Sequence, residues 1–120
     1  HQLLIVSGGS TTAALGTGVW TSGNVTAYSD KRVKENIEVI PNALEKVLQL
    51  SGYTFDRTDA DMPRQTGLIA QEVLKVLPEA VSGSEEEHYS VAYGNLVGLL
   101  IEAIKEQQTQ IETLMDMVGE

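Results

Sequence analysis

A heptad repeat of apolar residues occupies the last part of the chain and restricts it to a long helix with one apolar face. The repeat alternates spacings of three and four along Val97, Leu100, Ile104, Gln107, Ile111, Leu114 and Val118. A helix that packs only against its own domain shows such spacing for about three turns, whereas this repeat continues for about three heptads. We therefore predict a helix over about residues 92–119 that forms a coiled coil with identical chains, with packing inside one chain as the alternative. Gln107, the polar member, would set the register or the number of chains.

The charge of the chain changes abruptly at the bond between Tyr28 and Ser29. Residues 1–28 contain no Asp, Glu, Lys or Arg, and all 17 acidic and 8 basic residues follow them. The net charge of -9 therefore lies in residues 29–120. It argues against binding to nucleic acid, because Lys and Arg neutralise the phosphates in such complexes. Two differently built segments meet at this bond, and we treat them as separate domains.

The first segment, residues 1–28, has the composition of short strands and turns. It is rich in Thr, Val and Ala, with Gly16, Gly18 and Gly23 interrupting. Because few large side chains are present, such strands would have to pair with other strands or with copies of themselves. We predict a β-rich end of a larger structure, with a disordered linker as the alternative. The start at His1 rather than Met also suggests a fragment of a longer protein.

The second segment predicts a small α+β domain before the long helix. Asn42 is placed to cap a helix, Ser51 and Gly52 to end it, and Pro78 to stop the next one. The predicted elements are an extended stretch over 37–41, a helix over 43–50, a strand over 53–57, a polar loop over 58–65, a helix over 67–77, and a hairpin that pairs 80–81 with 89–91.

Several kinds of site are not expected from this sequence. The chain has no cysteine, and its two histidines, His1 and His88, lie far apart, so we predict neither a metal site nor a cofactor. No run of about 18 apolar residues is present that could span a bilayer, so no membrane partner is expected.

Ser29 and Lys34 supply the hydroxyl and the amine that a Ser/Lys acyl-transfer site requires. A lysine accepts the serine proton only when desolvation or nearby positive charge disfavours its charged form, and Lys31 and Arg32 are nearby cations. Residues five apart on an α-helix point about 140° apart. The two groups can therefore meet only if the segment bends or if the lysine comes from another chain. The plain alternative is a turn with solvated side chains.

Several ordered motifs resemble the C-terminal intramolecular chaperone domain of phage tailspikes, tail fibres and neck appendages, typified by endosialidase tailspikes and similar to a domain of myelin regulatory factor. The resemblance covers residue 29 to about residue 120. The motifs are Ser29-Asp30-x-Arg32-x-Lys34-x-Asn36-Ile37, Ala43-Leu44-x-Lys46, Tyr53-x-Phe55, Gly67-Leu68-Ile69-Ala70-Gln71-Glu72-Val73 and Tyr93-x-x-Leu96. Val33 departs from the family, in which Leu is more usual before the lysine.

The resemblance implies a homotrimer that aligns three fibre chains and then cuts itself off. It implies Ser29 as nucleophile, Lys34 as general base and the Tyr28–Ser29 bond as the scissile bond, with Asp30, Arg32, Asn36 and Gln71 in supporting positions. Candidate oxyanion donors are the side chains of Asn36 and Gln71 or backbone N–H groups. Assembly would take place in the cytoplasm of a bacterial host. Residues 1–28 would stay in the virion fibre, and residues 29–120 would be released.

Two other functions stay open at this point. One is a structural fibre tip, in which the Ser/Lys pair is inert and the coiled coil is a permanent clamp. The other is a receptor- or carbohydrate-binding tip. The second has little support, because an aromatic content of 5% offers few stacking surfaces for sugars.

Overall fold

The chain has a mixed α+β fold, as its sequence predicts. A computed structural model describes residues 18–119, which form short helices, two antiparallel strand pairs and one long C-terminal helix. The elements in chain order are a 3-10 helix (Lys31–Val33), α1 (Ala43–Leu48), β1 (Tyr53–Phe55), β2 (Gln65–Gly67), α2 (Ala70–Val76), a 3-10 helix (Pro78–Ala80), β3 (Val81–Ser84), β4 (His88–Val91), a 3-10 helix (Tyr93–Leu96) and α3 (Val97–Val118).

The chain divides into two compact units, with the boundary between Glu35 and Asn36. The first unit contains the Lys31–Val33 helix, and its residues 18–28 form no strand within one chain. The strands predicted before residue 18 lie outside the described residues. The β-rich fibre end, which would need partners for its strands, therefore stays a prediction, as do domain limits at residues 28 and 29.

The core of the second unit is one cluster of buried apolar side chains, drawn mainly from α1, α2, the start of α3 and the 3-10 helices that precede β3 and α3. Leu99 and Ala103, one helical turn apart on α3, are buried beside α1, and Val73 is buried on α2. Within the described part of the chain, Leu99 and Val73 are the largest side chains that are fully buried. So small a core removes little apolar area from water, which limits how much it can stabilise a single chain.

The strands form two separate pairs, one of which the sequence predicts only in part. The predicted hairpin is confirmed, with Val81 opposite Val91 in the β3–β4 pair. The prediction of a loop through Gln65 and a helix from Gly67 was wrong, because Gln65–Gly67 is a strand that pairs with β1. Three residues are too few to show an alternation of apolar and polar side chains. The register of that pair places Tyr53 opposite Gly67.

The beginning of α1 is capped from α3 and not by Asn42, so the predicted cap was wrong. Asn42 has a positive φ of 52°, and its side chain makes no capping hydrogen bond. Instead the Glu106 carboxylate accepts the backbone N–H groups of Ala43 at 2.7 Å and Leu44 at 3.1 Å. A carboxylate on the first N–H groups of a helix satisfies donors that lack a partner inside the helix. Glu106 thereby ties α3 to α1.

Replacing Glu106 by alanine is expected to destabilise the fold by about 1–2 kcal/mol, the range for loss of a helix cap. Urea unfolding followed by circular dichroism, at one fixed protein concentration, measures this. The matched control is Glu102→Ala, since Glu102 pairs with the exposed Lys105 and should contribute less than about 1 kcal/mol. Equal losses of unfolding free energy for the two variants would show that the contact of Glu106 with α1 stabilises the fold no more than the pair of Glu102 and Lys105 does.

The predicted C-terminal helix is confirmed as α3, which has 22 residues and follows a short 3-10 helix. Its two faces differ. One turns Leu99 and Ala103 toward the domain, while the heptad positions stay open to solvent, with exposed fractions from 48% at Ile111 to 84% at Val118. Packing among residues 18–119 therefore accounts for the first face only, and no part of that range covers the heptad face.

Candidate functional site

Ser29 and Lys34 lie within hydrogen-bonding distance in the first unit. The Lys34 Nζ donates to the Ser29 Oγ at 2.7 Å. The Lys31–Val33 helix is a single tight turn, closed by the Val33 N–H on the Asp30 carbonyl at 3.1 Å. Of the two routes that the sequence allowed, a bend within one chain is thus sufficient to bring hydroxyl and amine together.

Asp30 and Arg32 hold this turn in shape. The Asp30 Oδ1 accepts the backbone N–H of Arg32 at 2.8 Å, and its Oδ2 accepts the Arg32 Nη2 at 2.7 Å. The Arg32 guanidinium, and then the Arg32 backbone N–H, lower the pKa of Asp30 below its ordinary value. The pair is exposed to solvent, so its role is to set the local geometry between Ser29 and Lys34 rather than to stabilise the whole fold.

The Asp30–Arg32 contact should loosen in acid. A carboxyl whose pKa is lowered in the folded chain contributes stability above its ordinary pKa, and that contribution is lost as the pH falls through the lowered pKa. In a Ser29→Ala chain, an NMR titration of the Asp30 carboxyl should give a midpoint below the ordinary 3.8, and Arg32→Ala should raise it. Glu38 serves as the reference carboxyl in both spectra. An Asp30 midpoint that is the same with and without Arg32→Ala would contradict the contact between Asp30 and Arg32.

The reactive groups of this turn are open to solvent in a single chain. Tyr28 has an exposed fraction of 96%, and Ser29 and Lys34 are also exposed. A lysine acts as a base toward a serine hydroxyl where desolvation or a nearby positive charge disfavours its charged form. The turn therefore supplies nucleophile and amine at contact distance, but not the desolvation that would make the amine a base.

The other two predicted supporting residues, Asn36 and Gln71, belong to the second unit. Asn36 has a positive φ of 54°, and Gln71 lies in the first turn of α2. Both side chains are exposed. Their role as oxyanion donors stays a prediction.

Motifs that are far apart in the sequence meet in the second unit. The Tyr53 hydroxyl donates to the Glu72 carboxylate at 2.9 Å, and the Tyr93 hydroxyl accepts the backbone N–H of Leu68 at 3.0 Å. A Cβ on Gly67 would come within 2.5 Å of the Tyr93 hydroxyl oxygen. The tyrosines and the glycine of the motifs thus hold together β1, the beginning of α2 and the 3-10 helix that precedes α3. Sequence reasoning identified these residues without finding this role.

Two kinds of feature are missing from the part of the chain that the structure describes. Residues 18–119 contain no group of three or more His, Asp or Glu side chains that could hold a metal ion. None of the helices found there has the length and apolar character needed to cross a membrane.

In a comparison with known proteins, the chain is similar in sequence to phage fibre proteins. Over 99 residues it is 33% identical to the long tail fiber protein Gp37 of Enterobacteria phage K3, and the aligned region covers 76% of this chain and 8% of that protein. Over 95 residues it is 38% identical to the long tail fiber protein Gp37 of Enterobacteria phage M1, and the aligned region covers 72% of this chain and 38% of that protein. The chain thus spans well under half the length of these curated relatives.

A family model described as chaperone of endosialidase matches residues 29–82. The match begins at Ser29, where the charged part of the sequence also begins. It contains the Ser29–Lys34 turn, α1, both strands of the first pair, α2 and the start of β3. The chain therefore carries a domain of the chaperone of endosialidase family, the family that its motifs resemble.

Proposed function

We propose that this chain is the self-processing trimerisation chaperone of a phage tail fibre. The family match and the similarity to long tail fiber proteins support the chaperone role. The hydrogen bond of 2.7 Å between the Lys34 Nζ and the Ser29 Oγ carries the proposal of self-cleavage, and the matching family model bears a peptidase name. Residues 1–28 remain in the virion fibre, and residues 29–120 leave after assembly in the host cell.

The proposed reaction begins with attack of the Ser29 Oγ on the carbonyl carbon of Tyr28. The neutral Lys34 amine takes the hydroxyl proton as the new C–O bond forms, then gives a proton to the Ser29 nitrogen as the C–N bond breaks. The product is an ester between the Tyr28 carboxyl and the Ser29 hydroxyl. Water hydrolyses this ester, which leaves a carboxylate on Tyr28 and a free amine on Ser29. Because nucleophile and carbonyl are neighbours in one chain, proximity favours the attack.

Assembly supplies what the exposed turn lacks. The distance between Ser29 and Lys34 is set locally by the Lys31–Val33 helix, so assembly is not needed to bring them together. Covering the turn with other chains would remove water from the Lys34 amine and favour its neutral form. Cleavage would then occur only after the chains have assembled, and release of the domain would report correct assembly.

The exposed heptad face of α3 supports assembly into a trimer. Ile104, Ile111 and Leu114 are about half exposed or more on a helix that has already buried its other face. Apolar residues repeated at heptad positions bury one another when identical helices associate. Gln107, in the middle of this face, would fix the register of the chains.

A second candidate is a structural fibre tip that never cleaves. The solvent exposure of Tyr28, Ser29 and Lys34 favours it, because self-cleavage calls for a lysine amine that is shielded from water. In that case α3 would hold the three chains together permanently.

Intact-mass measurement of the purified wild-type protein separates the two candidates. Self-cleavage predicts a fragment that begins at Ser29, together with the complementary piece that ends at Tyr28. An unbroken chain that sediments as a trimer would support the permanent clamp instead. A fragment that begins at any other residue would reject Tyr28–Ser29 as the scissile bond.

A further inference from the structure

Two open hollows lie side by side on the second unit. The larger has a volume of about 470 Å³ and is lined by Tyr53, Phe55, Leu68, Ile69 and Tyr93, among others. The smaller, about 230 Å³, is lined by residues of α1 and α3 and again by Leu68. Leu68 lines both hollows, and we call the two together the apolar tract.

The apolar tract joins the heptad face of α3. Leu100 is a heptad residue and also lines the smaller hollow. Tyr93, which lines the larger hollow, is the first residue of the 3-10 helix that leads directly into α3. Both are exposed to about half, at 49% for Leu100 and 52% for Tyr93. A neighbour that packs on the heptad face of α3 therefore reaches the hollows as well.

The charge of the tract fits a second copy of this chain. No Asp, Glu, Lys or Arg lines either hollow, and the heptad positions carry no charge either. The chain as a whole has a net charge of -9, so two copies repel each other wherever their charged surfaces approach. An uncharged surface is where identical acidic chains can approach without that repulsion.

Burial of the tract would also complete a core that is small in one chain. Only Leu99 and Val73 are large and fully buried within the described residues, while Ile69 and Leu100 of the tract remain exposed to 42% and 49%. Contiguous exposed apolar surface of this kind marks interaction sites in soluble proteins. A second copy would cover it and add apolar burial that the single domain does not reach.

We propose that a second copy of this chain covers the apolar tract, so that contact between copies extends from α3 onto the β1–β2 pair. This inference rests on the proposed assembly of identical chains. It adds that the hollows beside Tyr93 and Leu68 are part of the contact, which the heptad repeat alone does not require.

The absence of cysteine from the chain allows a direct test. The test variant is Ile69→Cys, which introduces a single cysteine in the larger hollow. The control is Leu48→Cys on α1, because Leu48 has an exposed fraction of 76% and lines neither hollow. Both are made in full-length Ser29→Ala chains, with and without Ile111→Asp on the heptad face. The rate of alkylation by a maleimide is followed by mass spectrometry. We expect the cysteine at 69 to react at least about tenfold more slowly in assembled chains than in the Ile111→Asp background, and the cysteine at 48 to react equally in both.

Each other outcome is decisive against the inference. Equal rates at position 69 in assembled and dissociated chains mean that the hollow stays open, which overturns this inference and leaves assembly standing. Slow alkylation of the cysteine at position 69 in the dissociated chain means that something other than a second copy covers the hollow. If the chain without Ile111→Asp sediments as a monomer, the proposed assembly fails, and this contact fails with it. In a second variant, Ile69→Asp should weaken association at least about tenfold in sedimentation equilibrium, whereas Leu48→Asp should not.

Discussion

Replacing either Ser29 or Lys34 by alanine is expected to abolish the fragment that begins at Ser29, with a loss of about a thousandfold or more in rate. Removal of a nucleophile or its base typically has an effect of this size, because the two groups act as one unit. The hydrogen bond between the Lys34 Nζ and the Ser29 Oγ holds the two groups at a distance of 2.7 Å. Intact-mass analysis at timed intervals after the chains assemble measures the rate for each variant.

Two lysine variants separate chemistry from shape in this experiment. Lys34→Arg keeps a cation that can donate to the Ser29 hydroxyl, but a guanidinium stays charged and cannot accept a proton, so this variant should be as inactive as Lys34→Ala. Lys75→Ala changes an exposed lysine of α2, outside this turn, and should cleave at close to the wild-type rate. Wild-type cleavage by Lys34→Arg would exclude Lys34 as the base, and wild-type cleavage by Ser29→Ala would exclude the proposed nucleophile.

Local sequence patterns predicted the parts of the fold that depend on neighbouring residues. The heptad spacing predicted α3, because that signal repeats over several residues. Residues 80–81 and 89–91, on either side of a charged loop, predicted the β3–β4 hairpin. The cap of α1 could not be found in this way, since Glu106 lies 63 residues from Ala43 and its backbone partners carry no signature. For the same reason, no short-range rule places the Tyr93 hydroxyl on the N–H of Leu68.

The candidate site, like the fold, was predicted from the sequence only in part. The spacing of Ser29 and Lys34 could be read from the sequence, but whether they meet depends on the tight turn at Lys31–Val33, which Asp30 stabilises by accepting the Arg32 N–H. An Asp two residues before an N–H group is a common capping arrangement, and by itself it predicts no catalysis. What the spacing could not provide is the environment of the amine, because burial of an exposed turn by other chains is not encoded near the turn itself.

Ile111→Asp is expected to convert the assembled protein to monomer. Each chain would bring an unpaired carboxylate into the apolar contact between helices, and an uncompensated buried charge typically costs about 3–5 kcal/mol. That corresponds to a loss of affinity of roughly a hundredfold to a few thousandfold for each contact. Ile111 is about half exposed in the single chain, so its own fold should survive the change, as circular dichroism can verify. Sedimentation equilibrium measures the mass of the assembly.

The matched control is Thr113→Asp, which adds the same charge to the same helix at an exposed position off the heptad repeat. It should leave the assembly intact, so that a difference between the two variants reports the heptad face rather than the helix. If desolvation of the Lys34 amine depends on assembly, the cleavage rate should fall with association in Ile111→Asp and stay at the wild-type level in Thr113→Asp. Cleavage at the full rate by a chain that sediments as a monomer would separate the two processes. The exposed turn at residues 29–34 would then need no other chain to act.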